Sequence, residues 1–152
     1  MNIKYRLVEI DDAQLLFNWS KEEKVRKYSF SNHTPTFPEH LEWLRNKLNN
    51  TSCYFYICEV DSIPAGLIRF EKQDNLCVIG ISIDKSFRGK GLSSVFLMGA
   101  IQNYRKANNM EVVRAYIKVD NKASVKAFEK AGFKFKSKSS VNNNPCLVYE
   151  IK

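Results

Sequence analysis

The hydrophobic positions of the chain follow two different periods. Short runs of apolar or alternating residues predict strands over residues 3–9, 53–60, 63–70, 78–83, 112–119, 133–139 and 147–151. Apolar residues three and four positions apart predict helices over residues 13–19, 20–28, 38–49, 92–109 and 121–131. The 152 residues contain no repeat or linker, so we expect a single domain over residues 1–152 with an α/β fold and a sheet of six or seven strands.

Composition narrows the class of protein. No run of about 18 apolar residues is present, and the polar start Met1-Asn2-Ile3-Lys4 is not that of a signal peptide, so we expect a cytoplasmic protein without a membrane span. The four cysteines show neither C-x-x-C spacing nor paired histidines. We therefore interpret them as reduced strand residues and expect no metal and no disulfide.

The net charge of +8 is unevenly distributed. Residues 1–75 carry 10 Lys and Arg against 11 Asp and Glu, whereas residues 76–152 carry 14 against 5. The basic half would attract a ligand that bears several phosphates. A nucleic-acid surface is the alternative interpretation, and we do not favour it because the basic residues are not interleaved with exposed aromatic residues.

The most informative stretch runs from residue 78 to residue 104. A buried strand is followed by Arg88-Gly89-Lys90-Gly91 and then by a helix from about Leu92. Glycine allows backbone conformations in which successive N–H groups point at one anion, and a helix that begins at once adds unpaired N–H groups and the positive end of its dipole. Arg88 and Lys90 add side-chain charge. The stretch predicts a binding site for a diphosphate.

The loop resembles the acyl-CoA loop of the GCN5-related N-acetyltransferases, and it lacks the glycine patterns of a P-loop or a dinucleotide-binding loop. Residues 119–133, in which Asn121 opens a helix that ends in Gly132-Phe133, resemble the second signature of that family. The resemblance implies a mostly antiparallel sheet that is splayed between its fourth and fifth strands, with about four flanking helices. It also implies an N-acetyltransferase that uses acetyl-CoA.

The same resemblance implies which residues contact acetyl-CoA. Residues 81–83 would expose their backbone, and the Ile83 N–H would face the thioester oxygen on which negative charge develops. Asn121 would cap its helix and also contact the pantetheine arm as part of the catalytic set. The family usually has Gly or Ala where this chain has Ser93. The expected acetyl-CoA site comprises Ile81, Ser82, Ile83, Arg88, Gly89, Lys90, Gly91, Leu92, Ser93, Asn121, Ser124 and Phe128.

Two departures from the family pattern leave the proton transfers open. Members often carry a Tyr seven residues after the Asn, where this chain has Phe128, and many carry a Glu on the central strand, where the nearest match is Val78. The amine must therefore lose its proton to another group, directly or through water. Glu71 and His33 are candidate bases by chemical type alone. The candidate acids are Tyr104, Tyr116 and Tyr149.

Three segments carry the prediction of the acceptor. They are Phe17-Asn18-Trp19, Val25-Arg26-Lys27-Tyr28-Ser29-Phe30 and Glu39-His40-Leu41-Glu42-Trp43-Leu44. They resemble the subgroup that acetylates nucleotide-linked amino sugars, which includes acetyltransferases of pseudaminic acid biosynthesis. Aromatic faces suit sugar rings, and an Arg can hold a diphosphate by bidentate bonds. The expected acceptor site comprises Trp19, Arg26, Tyr28, Phe30 and His33, although the two tryptophans also fit core positions of amphipathic helices.

Three functions follow from these patterns. The favoured hypothesis is direct acetyl transfer, in a ternary complex, to the primary amine of a nucleotide-linked amino sugar, by a monomer or homodimer. The second is acetylation of a peptide or ribosomal-protein N-terminus, because relatives of that kind share much of the N-terminal pattern. The third, from a different class, is a non-catalytic basic module that binds nucleic acid.

Overall fold

The computed structural model describes residues 1–108 and 111–152, which form a seven-stranded sheet flanked by helices on both faces. The strands are β1 (Ile3–Leu7), β2 (Cys53–Val60), β3 (Ile63–Gln73), β4 (Leu76–Ile83), β5 (Val112–Lys118), β6 (Lys134–Val141) and β7 (Asn144–Ile151). The helices are α1 (Ala13–Ser20), α2 (Glu23–Tyr28), α3 (Phe37–Leu48), α4 (Leu92–Ala107) and α5 (Lys122–Lys130). The strand order is β1-β2-β3-β4-β5-β7-β6, and every neighbouring pair is antiparallel except β4 and β5.

This architecture confirms the predicted α/β class and the mostly antiparallel sheet. The described ranges contain five α-helices, as the spacing of apolar residues predicts, whereas the family resemblance implied about four. β3 continues to Gln73, beyond its predicted end at residue 70. The predicted end of α4 at residues 108–109 falls partly outside the described residues.

Turn residues with positive φ connect the two strands of each of two hairpins. Asp61 and Ser62 connect β2 to β3 with φ of 49° and 70°, and Asn142 and Asn143 connect β6 to β7 with φ of 48° and 63°. Two successive residues with positive φ are what a type I′ turn requires, and Asn and Asp adopt such angles at lower cost than most residues. These turns set the register of the two hairpins.

Two apolar clusters hold helices on opposite faces of the sheet. α4 buries one side, from Phe96 to Tyr104, and Tyr104 stacks on Phe70 of β3 with ring centroids 4.4 Å apart. On the other face, Leu16 of α1 and Leu44 of α3 are buried against β2 and β3. The three- and four-residue spacing of the apolar positions in each helix produces these one-sided contacts.

The sheet opens in its middle. β4 pairs with β5 only from Leu76 to Val78, opposite residues 112–114, and the register between the two strands ends there. β4 continues to Ile83 along β3 alone, while β5 continues to Lys118 along β7. The predicted splay between the fourth and fifth strands is therefore confirmed. Because α4 follows β4 after a short loop, its N-terminus lies near the carboxyl end of β4, where the opening is wide.

The remaining expectations concern thiols, metals and membranes. Cys53, Cys58, Cys77 and Cys146 carry free thiols, and all four lie in strands as predicted. Over residues 1–108 and 111–152, no three His, Cys, Asp or Glu side chains are grouped so that they could hold a metal ion. In the same ranges, each helix is too short or too polar to cross a membrane.

Candidate active site

The opening leaves backbone groups of β4 without a strand partner. The amide of Asp84 donates to the Ala65 carbonyl on β3. Because alternate residues of an antiparallel strand direct their N–H and C=O groups to opposite sides, Ile81 and Ile83 direct theirs away from β3, toward the gap beside β5. The Ile83 N–H therefore has the orientation that stabilisation of a developing oxyanion requires.

The glycine loop has the conformation that anion binding needs. Gly89 and Gly91 have φ of 74° and 71°, and a Cβ added to either would meet nothing within 4 Å. Gly91 is the N-cap of α4 and has no side chain to satisfy the first amides of the helix. In the described residues, the amides of Gly89, Lys90 and Gly91 donate no hydrogen bond that meets normal geometry. Lys90 is exposed, with its Nζ 5.5 Å from the ring centroid of Phe87.

The Arg88 side chain is hydrogen-bonded within the protein. Its Nη1 and Nη2 donate to the two carboxylate oxygens of Glu22 at 2.8 and 2.6 Å, and its Nε donates to the Ile83 carbonyl at 3.1 Å. In this structure Glu22 neutralises the guanidinium, and its contribution to a phosphate site stays a prediction. Hydrogen bonds from Arg88 lower the pKa of the Glu22 carboxyl to about 2. The loop therefore orients only the backbone of Arg88, because Glu22 and the Ile83 carbonyl hold its side chain.

α2 and the loop after it bridge the opening. At one side, Glu22 precedes α2 and holds Arg88 beside the end of β4. At the other side, the Nζ of Lys118 on β5 donates to the Lys27 carbonyl at 3.1 Å, and the side-chain amide of Asn142 donates to the Phe30 carbonyl at 3.1 Å. These contacts define the N-terminal bridge, residues 22–30, which connects the separated ends of β4 and β5.

Asn121 and Gly132 set the two ends of α5 as the sequence predicts. The Asn121 side-chain oxygen accepts from the Ser124 amide at 3.3 Å, which confirms its role as the N-cap. Gly132 has φ of 101°, and the Phe133 amide donates to the Phe128 carbonyl at 3.0 Å in a Schellman motif. Phe128 is buried and meets Phe133 edge-on, which places its side chain in the core. Contacts of Asn121 and Ser124 with acetyl-CoA stay predictions.

One face of β4 and β5 is buried, and we call it the dry face; the other is open. Toward α4, Cys77, Ile79, Val113 and Ala115 are buried. On the opposite side, the side chains of the alternate residues are only half-buried, and we call this surface the open face. The open face comprises Val78, Gly80 and Ser82 of β4 with Arg114, Tyr116 and Lys118 of β5, and Arg69 and Glu71 of β3 continue it by register.

The candidate bases differ in their surroundings. Glu71 lies beside Val78 in the β3–β4 register, so it borders the open face, but its carboxylate accepts from the Lys47 ammonium at 3.1 Å. His33 is exposed in the loop before α3, and its Nε2 lies 3.1 Å from the Glu39 carboxylate. The structure does not bring His33 into contact with Ile83, and the pairing with Glu39 accounts for its position.

The three candidate acids differ in their surroundings: two are buried, and one lies on the open face. Tyr104 is a buried residue of α4 whose hydroxyl donates to Glu111, and burial raises its pKa. Tyr149 is buried and donates to Glu129, and burial again raises the pKa. Tyr116 lies on the open face, where its hydroxyl accepts from Arg114 at 3.3 Å. Of these three tyrosines, Tyr116 alone is placed to serve an acceptor.

The predicted acceptor residues are only partly available. Trp19 is 8% exposed, and its indole N–H donates to Asp84 at 2.8 Å, which makes it a structural contact between α1 and the end of β4. Arg26 donates to the carbonyls of Ser20 and Ser31 and to the Ser29 hydroxyl. These hydrogen bonds order the N-terminal bridge and occupy the guanidinium, which is therefore not free to bind a diphosphate.

Two aromatic residues of the N-terminal bridge remain accessible. Tyr28 and Phe30 are half-exposed. The Lys118 ammonium lies 5.9 Å from the Phe30 ring centroid, which places Phe30 beside the open face.

A cleft of about 430 Å³ joins the N-terminal bridge to the end of β4. It brings together three of the predicted residues, Trp19, Ile83 and Arg88. Its other walls come from residues that sequence reasoning missed, above all Glu22 and Asp84. Glu22 lies 66 positions from Arg88 in the chain, so no local pattern could have indicated their contact.

A family model for the acetyltransferase (GNAT) domain matches residues 2–134. The chain belongs to that family. The family match agrees with the expected enzyme class, an N-acetyltransferase. The finer resemblance to enzymes that modify nucleotide-linked amino sugars is not decided by this match.

One curated relative of this GNAT domain is an uncharacterized N-acetyltransferase of Methanocaldococcus jannaschii. It is 28% identical over 90 residues, which are 54% of this chain and 39% of the relative. The chain therefore matches well under half of the length of that protein.

Solved GNAT structures share the fold over nearly the whole chain. The aminoglycoside acetyltransferase AAC(6′)-Ib with paromomycin and acetyl-CoA has a TM-score of 0.86 at 17% identity, covering 99% of this chain and 93% of that one. The spermidine N-acetyltransferase of Vibrio cholerae with CoA and spermine has 0.83 at 17%, covering 97% and 92%. The ribosomal L7/L12 α-N-protein acetyltransferase RimL with CoA has 0.86 at 16%, covering 99% and 94%. At such low identity these similarities establish the fold alone.

Proposed function

We propose that this GNAT domain transfers the acetyl group of acetyl-CoA directly to the primary amine of a nucleotide-linked amino sugar. The observation that carries the proposal is the opening between β4 and β5, with the Ile83 N–H turned into it and the amides of Gly89 and Gly91 beside it. A donor for a developing oxyanion and a binding site for phosphates thus lie on one continuous stretch of chain.

The residues present fit acetyl-CoA. This cosubstrate supplies an acetyl group already activated as a thioester. The open space where a Cβ would stand at Gly89 and Gly91, and the uncapped start of α4, suit its pyrophosphate. The helix cap uses only the side-chain oxygen of Asn121, so the NH₂ group of that side chain is available to donate to the pantetheine arm.

Within this proposal, the chain orients the amine and stabilises the charge that develops. The Ile83 N–H donates to the carbonyl oxygen of the reacting acetyl group. The bond from amine nitrogen to carbon forms as the carbon–sulfur bond breaks, and the proton lost by the amine reaches the departing sulfur through water or a side chain. We assign that side chain to Tyr116, because its hydroxyl lies on the open face.

Charge distribution separates the possible acceptors. Aminoglycosides and spermine, which the structures of two neighbours contain, are polycations and need unpaired carboxylates around them. Here Glu71 is paired with Lys47, Glu150 with Arg114, and Glu22 with Arg88. These three carboxylates are neutralised, and Asp84 at the cleft already accepts from the Trp19 indole and the Ser86 amide, so an acceptor with negative charge fits better than a polycation. The rings of Tyr28 and Phe30 offer apolar faces to a sugar.

Calorimetric titration with acetyl-CoA, followed by a thiol-release assay, tests this function. The acceptor panel contains a nucleotide-linked amino sugar, a peptide with a free N-terminus and spermidine. We expect acetyl-CoA binding and thiol release with the sugar nucleotide. Release with the peptide alone would replace the acceptor by the second hypothesis. Indifference to acetyl-CoA, together with affinity for nucleic acid that falls steeply with salt, would favour the non-catalytic module.

Gly91→Glu is the decisive variant. The added carboxylate places bulk and negative charge where the phosphates would lie, so we expect acetyl-CoA affinity to fall at least about 100-fold by repulsion and steric exclusion. Lys90→Ala is the matched control, since it removes a nearby exposed charge and leaves the glycine conformation intact; its affinity should fall by less than about tenfold. Equal affinities for the two variants would contradict a phosphate site at this loop. Circular dichroism checks that both variants are folded.

A further inference from the structure

Arg69 lies in the middle of the sheet with its side chain on the open face. In the strand registers it stands between Phe55 of β2 and Gly80 of β4. Leu67, two residues earlier on the same face of β3, packs into the cluster under α1 and α3. Arg69 therefore lies at the boundary between the apolar residues that α1 and α3 cover and the half-exposed residues of β4 and β5.

In the described part of the chain, no carboxylate lies within ion-pair distance of the Arg69 guanidinium. Within residues 1–108 and 111–152, it makes no ion pair and no side-chain hydrogen bond. The carboxylate two residues away, that of Glu71, is bonded to Lys47 at 3.1 Å. Burial lowers the pKa of Arg69, and the charge of the nearby Glu71 carboxylate offsets this effect only in part.

Gly80 makes room for this side chain above β4. A Cβ built on Gly80 would lie 3.0 Å from Nη2 of Arg69 and 3.5 Å from its Nε. The guanidinium therefore lies over the backbone of β4 at Gly80, one residue before Ile81. Most side chains at position 80 would push it away, so the Gly80–Arg69 pair forms a positioned donor group on the open face.

We propose that Arg69 binds an oxyanion of the acceptor, a phosphate or a carboxylate, while the amine of the same molecule lies at Ile83. This inference rests on the proposed function and assigns the charge of its substrate. It also supplies the diphosphate contact that Arg26 cannot make, because Arg26 is bonded to the N-terminal bridge. A fork of N–H donors is the geometry that suits phosphate and carboxylate.

The spacing along β4 sets the size of the acceptor. Gly80 and Ile83 are three residues apart on an extended strand, a separation of ~10 Å at about 3.3 Å per residue. In this proposal the guanidinium and the acceptor amine lie within this span. An amino sugar with its oxyanion on a neighbouring substituent has this reach, whereas a polycation would place a positive charge against Arg69.

Matched acceptors and matched variants test the inference. The acceptors are glucosamine, glucosamine 6-phosphate and muramic acid, which carry no anion, a phosphate and a carboxylate. The variants are Arg69→Met, which keeps length and removes charge, and Arg69→Lys, which keeps charge and loses the fork. Arg45→Met is the control, because Arg45 is exposed on α3 and its loss changes the net charge equally. Each acceptor is titrated into the protein saturated with CoA, so that the measurement reads binding without turnover.

We expect wild-type protein to bind an anionic acceptor at least about tenfold more tightly than glucosamine, as a charged hydrogen-bonded pair allows. In Arg69→Met this ratio should fall close to one, in Arg69→Lys it should be intermediate, and in Arg45→Met it should be retained. The ratio of glucosamine 6-phosphate to muramic acid identifies the preferred oxyanion. Equal binding of all three acceptors by wild type, or an unchanged ratio in Arg69→Met, would overturn the inference.

The outcomes also separate this inference from the proposed function. If acetyl-CoA does not bind, the proposed function fails, and the same titrations into protein without CoA still read the anion preference of Arg69. If acetyl-CoA binds and thiol is released, but Arg69→Met keeps the anion preference, only the assignment of Arg69 fails. An unaltered acetyl-CoA affinity in Arg69→Met shows that the variant is folded.

Discussion

The two faces of β4 and β5 are built from alternate residues of the same strands, yet they have opposite characters. Toward α4 the face is complete: Cys77, Ile79, Val113 and Ala115 are buried, and aromatic stacking continues it to Phe70 and Tyr104. Away from α4 the face is half-exposed and carries charged groups. The dry face therefore stabilises the fold, whereas the open face has half-exposed residues that a bound molecule would cover.

This comparison predicts different costs for the same kind of truncation. Phe70→Ala on the dry face should lower the free energy of unfolding by about 3–5 kcal/mol, because it removes a fully buried ring and leaves a cavity. Val78→Ala on the open face should cost less than about 1 kcal/mol, because Val78 is only half-buried. Urea denaturation measures both. Similar losses for the two variants would mean that the faces do not differ as described.

The ion pair at the end of β4 predicts a smaller effect with a defined pH dependence. Arg88 holds the pKa of Glu22 at about 2, below the usual value, so the stabilisation is complete above pH ~4.5 and is lost as the pH falls toward 2. Glu22→Gln should lower the free energy of unfolding at pH 7 by about 1 kcal/mol, since the pair is partly exposed and screened. It should also remove this part of the acid destabilisation.

Glu23→Gln is the matched control for that variant. Glu23 is exposed and adjacent, and it makes no ion pair within the described ranges. Denaturant titrations at pH 7 and at pH 3 compare the two variants. If Glu23→Gln reduces the acid destabilisation as much as Glu22→Gln, the Arg88 contact is not its source.

The smallest predicted effect comes from α3, which borders the open face. His40 is 5% exposed between Phe17 and Trp43, and burial lowers its pKa. Its contribution to stability is therefore complete above pH ~6.5 and declines as the pH falls through the lowered native pKa, since the unfolded chain takes up the proton more readily. His40→Phe keeps a ring there and should flatten the pH dependence of unfolding between about pH 6.5 and 5 by less than about 1 kcal/mol. An unchanged slope would contradict this account.

Local signals account for what the sequence could predict. The loop at Gly89 and Gly91 requires positive φ and is followed at once by a helix, so its conformation follows from a few neighbouring residues. The Asn121 cap and the Gly132 stop are equally local. The splay between β4 and β5 entered through the family resemblance and not through the periodicity of the chain.

Contacts between distant segments account for what the sequence could not predict. The pairing of Arg88 with Glu22 depends on how α2 lies over β4. The hydrogen bonds of Arg26 depend on the fold of the N-terminal bridge. A lone Arg in a predicted strand carries no pattern, so the sequence does not indicate Arg69 as a site residue. Its position opposite Gly80 is visible only once the β3–β4 register is known.

The opening in the sheet also bears on aggregation. An exposed row of unpaired strand amides invites another polypeptide to add to the sheet, and the outer strand β6 counters this with Lys134, Lys136 and Lys138. The second half of β4 has such a row in the interior, where the N-terminal bridge spans the entrance. The protein can thus keep hydrogen-bonding groups ready for a small molecule while denying them to neighbouring chains.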